Sequence, residues 1–178
     1  MITRGIKKTP SQDPRLTING PNIVIIAEHK KASPQTKKNG ITLFTSTIRR
    51  GSPDYLDPRL NCHSKLHEVQ ALIQAIEAGA DEALMLDING FVSTCNSTNF
   101  FIIKDDEVWT STGQYCMNGI TRGKIISICE NKNIPCKQKD FSLFDVYAAD
   151  EAFVTGSFGG ITPVTKIDGR IIGKGKFG

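Results

Sequence analysis

Two glycine-bearing stretches hold the residues best suited to chemistry. In Gly119-Ile120-Thr121-Arg122 a glycine opens onto an apolar helical pattern (Ile125, Ile126, Ile128, Cys129), which delivers backbone N–H groups to a helix N-terminus. Unpaired donors, the positive end of the helix dipole and the Thr121 hydroxyl suit an anion such as phosphate. The alternative is an ordinary turn with Thr121 as N-cap. In Gly156-Ser157-Phe158-Gly159-Gly160, three glycines and a hydroxyl follow an apolar strand, so backbone can approach a ligand closely. With the first stretch it makes a two-sided anion cup; by itself it also reads as a turn.

Asn61-Cys62-His63-Ser64-Lys65 gathers a thiol, an imidazole, a hydroxyl and an amine at a loop-to-helix junction. Cys62 is a candidate nucleophile at the helix N-terminus, although the adjacent His63 is badly placed as its base. His63 and His67, four apart on the predicted helix, share a face that suits a metal but lack a visible third ligand. Lys65 serves as a Schiff-base amine if its ammonium is desolvated enough to lose a proton; otherwise it is an exposed first-turn lysine. Thr94 to Asn99 is a polar cluster between two strands, either the lining of a pocket or a turn satisfying its own backbone.

The elements that must position these residues read as follows. Ile23 to Ala27 is a continuous apolar run predicted as a strand buried on both faces, Met1 to Thr3 resembles the middle of a strand, and Ile41 to Arg50 is a further strand. Lys30 to Gly40, with Pro34, is predicted as a surface loop. Leu66, Val69, Ala71, Leu72, Ile73, Ala75 and Ile76 form a helical stripe with Ser64 as N-cap and Gly79 at the end. Strands follow at 83–87, 91–94, 99–103 and 108–110, with Asn89-Gly90 as the strongest hairpin signal. A helix runs from Thr121 to about Asn131, an extended segment begins at Ile134, and a short helix at 142–149 is capped by Ser142 and Asp145. Strands at 151–155, 161–167 and 170–172 complete the pattern, the last two joined at Asp168-Gly169, and Gly173 to Gly178 is loop. Many strands with three interspersed helices predict an α+β domain.

The chain has 178 residues, 39% of them hydrophobic and 22% charged, which is enough for one sizeable core and excludes a disordered chain. A net charge of +4 without long basic runs does not argue for nucleic acid. No apolar run approaches a membrane span and no secretion leader is visible. Five cysteines without C-x-x-C spacing fit reduced thiols, so a cytoplasmic location is expected.

Several ordered blocks then resemble a known family. Glu77-Ala78-Gly79-Ala80-Asp81-Glu82-Ala83-Leu84, Asn89-Gly90-Phe91-Val92, Asn99-Phe100-Phe101, Gly119-Ile120-Thr121-Arg122, Ala149 through Gly156 and Ile161-Thr162-Pro163-Val164 resemble, in order and spacing, the larger domain of class IV aminotransferases. These fold-type IV pyridoxal phosphate enzymes include branched-chain and D-amino acid aminotransferases. The resemblance covers 40–178 well and 1–39 loosely. It implies an α+β pseudo-barrel over 41–178 without the usual C-terminal helix, and a remnant of the smaller N-terminal domain over 1–40. The ends suggest part of a longer protein.

The resemblance also implies pyridoxal 5'-phosphate as cofactor, an amino acid or amine donor, a 2-oxo acid acceptor and a homodimer. Its phosphate ligands fall on Ile120, Thr121, Gly156 and Ser157. Two positions depart from the family pattern. Counting back from Gly79, and from Asp57-Pro58, the family lysine falls on Asn61, whose amide cannot form the covalent link, so Lys65 is the provisional amine. Thr94 stands where the family has a glutamate facing the pyridinium nitrogen. Arg15 lies near where some members place a carboxylate-trapping arginine. The alternatives are a non-catalytic protein that binds a phosphorylated ligand, or an incomplete fragment.

Overall fold

The computed structural model describes residues 1–175 and divides the chain into a unit of Met1–Lys31 and a second unit from Ala32 onward. The first unit holds a single 3-10 turn, Pro14–Leu16, and isolated bridges Ile2↔Ile23 and Lys7↔Thr17. None of its residues is buried, and Ile25 and Ile26 are 87% and 84% exposed. The buried strand predicted at 23–27 therefore does not form, and the strand at 1–3 is reduced to one bridge. Thirty or so residues bury too little apolar surface to enclose a core of their own.

The second unit is, among the described residues, a mixed nine-stranded sheet with four helices. Helix α1 (Pro34–Asn39) occupies what reads as a loop: Pro34 sits in the first turn, where its missing N–H costs nothing. Strand β1 (Ile41–Thr45) stops short of Arg50 and is followed by irregular chain to α2 (Leu66–Glu77). Then come β2 (Glu82–Leu86), β3 (Val92–Cys95), β4 (Asn99–Lys104), β5 (Glu107–Thr110), α3 (Ile120–Asn131), β6 (Cys136–Gln138), α4 (Leu143–Tyr147), β7 (Glu151–Gly156), β8 (Gly160–Ile167) and β9 (Arg170–Ile171). The order across the sheet is β3-β2-β1-β8-β7-β4-β5-β6, with β9 beside β8. β1 runs parallel to both its neighbours, and β5 runs parallel to β6; the other pairs are antiparallel.

The sheet curls on itself. Val92 N–H on edge strand β3 donates to the Phe141 carbonyl, just beyond edge strand β6, at 2.9 Å. Inside the curl Leu84, Phe100, Ile102, Phe141, Val146, Val154 and Ile167 form the main core. On the outer face Phe101 stacks on Phe153 at 4.8 Å, and Ile125 and Cys129 of α3 cover them. Turn chemistry follows the sequence: Gly90 at φ +87 closes β2–β3 while the Asp87 carboxylate accepts from the N–H groups of Asn89 and Phe91. Asp168 and Gly169, both at positive φ, close β8–β9. The Asp145 carboxylate accepts the Ser142 N–H at 3.0 Å and caps α4.

Two helix starts differ from expectation. The N-cap of α2 is Lys65, not Ser64, and makes no side-chain capping bond. The N-cap of α3 is Gly119, which puts Thr121 inside the first turn. Gly119 has an ordinary extended backbone (φ −62, ψ 148), so conformational freedom does not explain it. Space does: a Cβ there would lie 2.5 Å from Asn99 Oδ1, and Asn99 is buried and pinned by a 2.9 Å bond from its Nδ2 to the Met117 carbonyl.

Arg122, 4% exposed, secures the same turn by donating to the Ser111 carbonyl at 2.7 Å and to Gln138 Oε1 at 2.9 Å. These bonds tie the helix to the end of β5 and to β6. Gly123, one turn on from Gly119, has no atom within 4 Å of an added Cβ. Two alanine substitutions in one turn are thus expected to have opposite signs. Gly123→Ala raises unfolding free energy by about 0.5–1 kcal/mol through helix propensity, whereas Gly119→Ala lowers it by about 1–3 kcal/mol through overpacking. Urea denaturation of both variants measures the difference.

Candidate active site

The two anion loops meet the start of β4 at consecutive residues. The Gly119 Cα faces the Asn99 amide, and the Gly156 Cα faces Thr98, whose Cγ2 would lie 3.4 Å from a Cβ on that glycine. The Gly156 loop is a tight hairpin: Gly156 pairs with Gly160 and only Ser157, Phe158 and Gly159 turn the chain. On the α3 side, the N–H groups of Ile120 and Thr121 precede the bond from Gly123 N–H to the Gly119 carbonyl at 3.0 Å, leaving them without intrahelical partners. Ile120 is exposed, Thr121 half-buried and Ser157 exposed.

Beside this junction lies a cavity of about 400 Å³ whose lining includes Arg50, Asn61, Lys65, Thr94, Asn99 and Met117. A second cavity, about 300 Å³, is lined by Gly156, Ser157, Phe158, Glu82 and others, and the two share Ser97 and Thr98 as a common wall. The predicted amine end, Asn61, Lys65 and Thr94, therefore falls in one cavity, while Gly156 and Ser157 line the other; Ile120 and Thr121 line neither. What joins them is the Thr98–Asn99 step.

That step is fixed by hydrogen bonds on every side. The Thr98 carbonyl accepts from the Cys95 N–H at 2.9 Å and from the Thr94 hydroxyl at 2.7 Å, and the Thr98 hydroxyl donates to Glu82 at 2.7 Å. Because the Thr94 proton is committed to a carbonyl, Thr94 Oγ1 is left as an acceptor, approached only by Asn99 Nδ2 at 3.4 Å among the described residues. Opposite Asn99 across β4–β7 is Thr155, whose buried hydroxyl has no partner among the described residues. Strand alternation puts it on the same face as Phe153, the face that α3 covers. By type Thr155 is one more residue of an apolar strand; only its register against Asn99 marks it out.

Arg50 frames the first cavity. Its guanidinium donates to Glu68 at 2.6 Å and to the carbonyls of Tyr115 and Pro58 at 3.2 and 3.3 Å, joining the chain after β1, the 58 loop, α2 and the segment before α3. Burial pushes the Glu68 carboxyl up, but the bond and charge of Arg50, together with a backbone hydrogen bond and the nearby Lys65 charge, offset it and leave it below its ordinary value. The pair is nearly desolvated, at 10% and 18% side-chain exposure, so losing either partner would strand a buried charge. In the sequence Arg49-Arg50 looks like any basic pair, and nothing local marks the second arginine.

Other candidates are not assembled. α2 begins at Leu66, so His63 lies in the preceding loop and does not share a helix face with His67. Among the described residues no three His, Cys, Asp or Glu side chains gather to hold a metal. Cys62 Sγ contacts the Ser64 carbonyl at 3.9 Å, and no described histidine is bonded to it. Arg15 is engaged by Asp13 at 2.7 Å. All five cysteines are free thiols, and no described helix is long and apolar enough to cross a membrane.

Comparison with known proteins agrees with this architecture. The family model described as amino-transferase class IV matches residues 1–167. Branched-chain-amino-acid aminotransferase-like protein 2 of Arabidopsis thaliana is 40% identical over 99% of this chain, which spans 32% of that protein. A putative branched-chain-amino-acid aminotransferase of Methanocaldococcus jannaschii is 36% identical over 100% of this chain and 61% of its own length. Among solved structures, the T.th. branched-chain amino acid aminotransferase with pyridoxamine 5'-phosphate superposes with a TM-score of 0.78 at 31% identity, over 82% of this chain and 49% of that one. The Escherichia coli branched-chain enzyme gives 0.80 at 28% identity, over 84% and 50%. The chain thus spans between a third and two thirds of the length of these relatives. The match along nearly the whole sequence, together with the α+β pseudo-barrel it folds into, means that the chain belongs to the class IV aminotransferase family.

Proposed function

We propose that this chain binds pyridoxal 5'-phosphate and takes part in moving an amino group from a small amino acid or amine, branched-chain donors among them, to a 2-oxo acid. The observation that carries the reading is the convergence of both glycine loops on Thr98–Asn99, beside a cavity in which Lys65 is the one lysine among the lining residues. Two features fit the cofactor's phosphate: unpaired N–H groups at the start of α3, and the buried Thr155 hydroxyl, without a described partner, on the face it covers. When bound, the cofactor supplies an electron sink for the carbon that carries the amino group.

Each of the chain's own groups has a task in this reading. Ile120 and Thr121 N–H, the Thr121 hydroxyl, Gly156 and the Ser157 hydroxyl hold the phosphate. Thr94 Oγ1, with its own proton given to Thr98, would face the ring nitrogen as an uncharged acceptor and so would favour a protonated ring less than a carboxylate would. Lys65 Nζ would hold the cofactor by condensing with its aldehyde, with loss of water, and, once displaced by the donor and free as a neutral amine, would take and return the proton of the donor carbon. Arg50 and Glu68 keep α2, and with it Lys65, against the cavity.

A second reading, binding of a phosphorylated ligand without transfer, is favoured by Asn61 at the register of the family's lysine. One experiment separates the two. Borohydride reduction in the presence of pyridoxal phosphate, followed by peptide mass analysis, is expected to give an adduct on Lys65 that is lost in Lys65→Ala. Saturable binding with no adduct on any lysine supports the second reading and removes the catalytic one. For either, Thr121→Ala should weaken pyridoxal phosphate about 10- to 150-fold, the worth of one hydrogen bond to a charged group (about 1.5–3 kcal/mol), and leave phosphate-free pyridoxal unchanged.

A homodimer is part of the same reading. Ala71 and Ala75 form the buried seam of α2 against β2, while Leu66, Val69, Ile73 and Ile76 line its outer face, each about half or more exposed. A second copy covering that stripe would bury it. Sedimentation velocity should show a dimer that Ile73→Lys converts to monomer; an unaltered dimer would place the interface elsewhere. The free thiols fit a reducing compartment such as the cytoplasm.

A further inference from the structure

The second cavity contains a charge that nothing in the described chain neutralises. Glu82 opens β2, and its carboxylate accepts the Thr98 hydroxyl at 2.7 Å and the Ser97 hydroxyl at 3.2 Å. It makes no ion pair among the described residues. Burial pushes its carboxyl above the ordinary value, the two hydroxyl bonds oppose this, and the neighbouring Asp81 charge adds to it. The other polar groups nearby do not compensate. Asp81 is occupied by the Thr42 N–H and hydroxyl, and Cys95 is a buried thiol whose own pKa burial raises. Lys37 reaches the rim, its Nζ 3.8 Å from where a Gly160 side chain would begin, without bonding Glu82. Hydroxyl donors satisfy lone pairs but do not cancel a charge, and a desolvated carboxylate is ordinarily paired with a cation.

We infer that this cavity is a binding site for a small organic ammonium ion, its charged head on Glu82 and its alkyl tail on Ile41, Val154 and Phe158. Those three apolar side chains line the same cavity as the carboxylate, and about 300 Å³ accommodates a short alkyl chain. A divalent metal fits poorly, because one carboxylate and two hydroxyls fall well short of the six or more oxygens such ions take. Asp81, next in sequence, adds negative potential that favours a cation. The site needs no cofactor, although Gly156 and Ser157 of the proposed phosphate cup also line its cavity. Through Ser97 and Thr98 its occupant braces the wall of the first cavity.

The test is a titration of the cofactor-free chain with n-butylammonium chloride and with n-butanol as its neutral isostere, followed by amide shifts in two-dimensional NMR. The ammonium ion is expected to bind saturably, at least about tenfold more tightly than the alcohol (about 1.4 kcal/mol), with shifts at Glu82, Ser97, Thr98 and Gly159. Glu82→Gln should reduce it to the affinity of the alcohol. In the unaltered chain its affinity should fall as pH drops through the carboxylate range, since protonation removes the Glu82 charge while the ammonium keeps its own. That measurement decides the matter even if the variant fails to fold. Equal binding of the two ligands, pH-independent ammonium binding, or full affinity in a folded Glu82→Gln variant would overturn the inference. None of these outcomes bears on the borohydride adduct, and absence of the adduct leaves the ammonium site standing.

Discussion

The Thr98–Asn99 step at the start of β4 is the constraint on which the rest of the site depends. Asn99 presses its amide oxygen against Gly119 while its Nδ2 holds the Met117 carbonyl, so one buried side chain sets where α3 begins. Thr98 turns its carbonyl to Thr94 and Cys95, its hydroxyl to Glu82 and its methyl to Gly156. Strands β2, β3, β4 and β7 and helix α3 are all referenced to two residues. The glycine at 119 is required because the step leaves no room for a side chain there, whereas a Cβ at Gly156 would meet Thr98 only at ordinary contact distance.

This arrangement also explains how the site can keep one end while changing the other. The proposed phosphate end is built of backbone N–H groups and hydroxyls whose positions follow from sheet register and the start of a helix, so side-chain replacement elsewhere does not disturb it. The amine end depends on single side chains, Asn61 and Lys65 in the irregular chain between β1 and α2, held by the Arg50–Glu68 pair, and Thr94 on β3. Asn61 and Thr94 lie at that end. A hydroxyl at Thr94 is sustained because its proton has a local acceptor in Thr98, which a carboxylate at the same position would lack the hydrogen to use.

Much of this is legible in the sequence where local chemistry decides the outcome. Asn89-Gly90, Asp168-Gly169, Ser142 with Asp145, and the helix following Gly119 all form as their residue types dictate, because turns and caps are settled within a few residues. Apolar content alone misleads in two places. Ile23 to Ala27 has the composition of a buried strand but belongs to a unit without a core. Leu66, Val69, Ile73 and Ile76 of α2 are exposed, while Ala71 and Ala75 are the residues buried against Ala83 and Met85 of β2. Contacts between distant segments leave no local trace: Arg50 with Glu68, Thr155 beside Asn99, and Glu82 beneath Thr98 are set by topology. The junction of the two glycine loops follows in the sequence from family resemblance, and its geometric basis, two adjacent residues of β4, emerges only from the fold.

The central claim is that the start of α3 and the hairpin at Ser157 form one phosphate cup around Thr98–Asn99. Amide hydrogen exchange tests it most directly, with pyridoxal phosphate compared against pyridoxal. Slowed exchange at Ile120, Thr121 and Ser157 with the phosphorylated compound alone is the predicted result. Equal protection by both compounds, or protection at only one of the two loops, would contradict it.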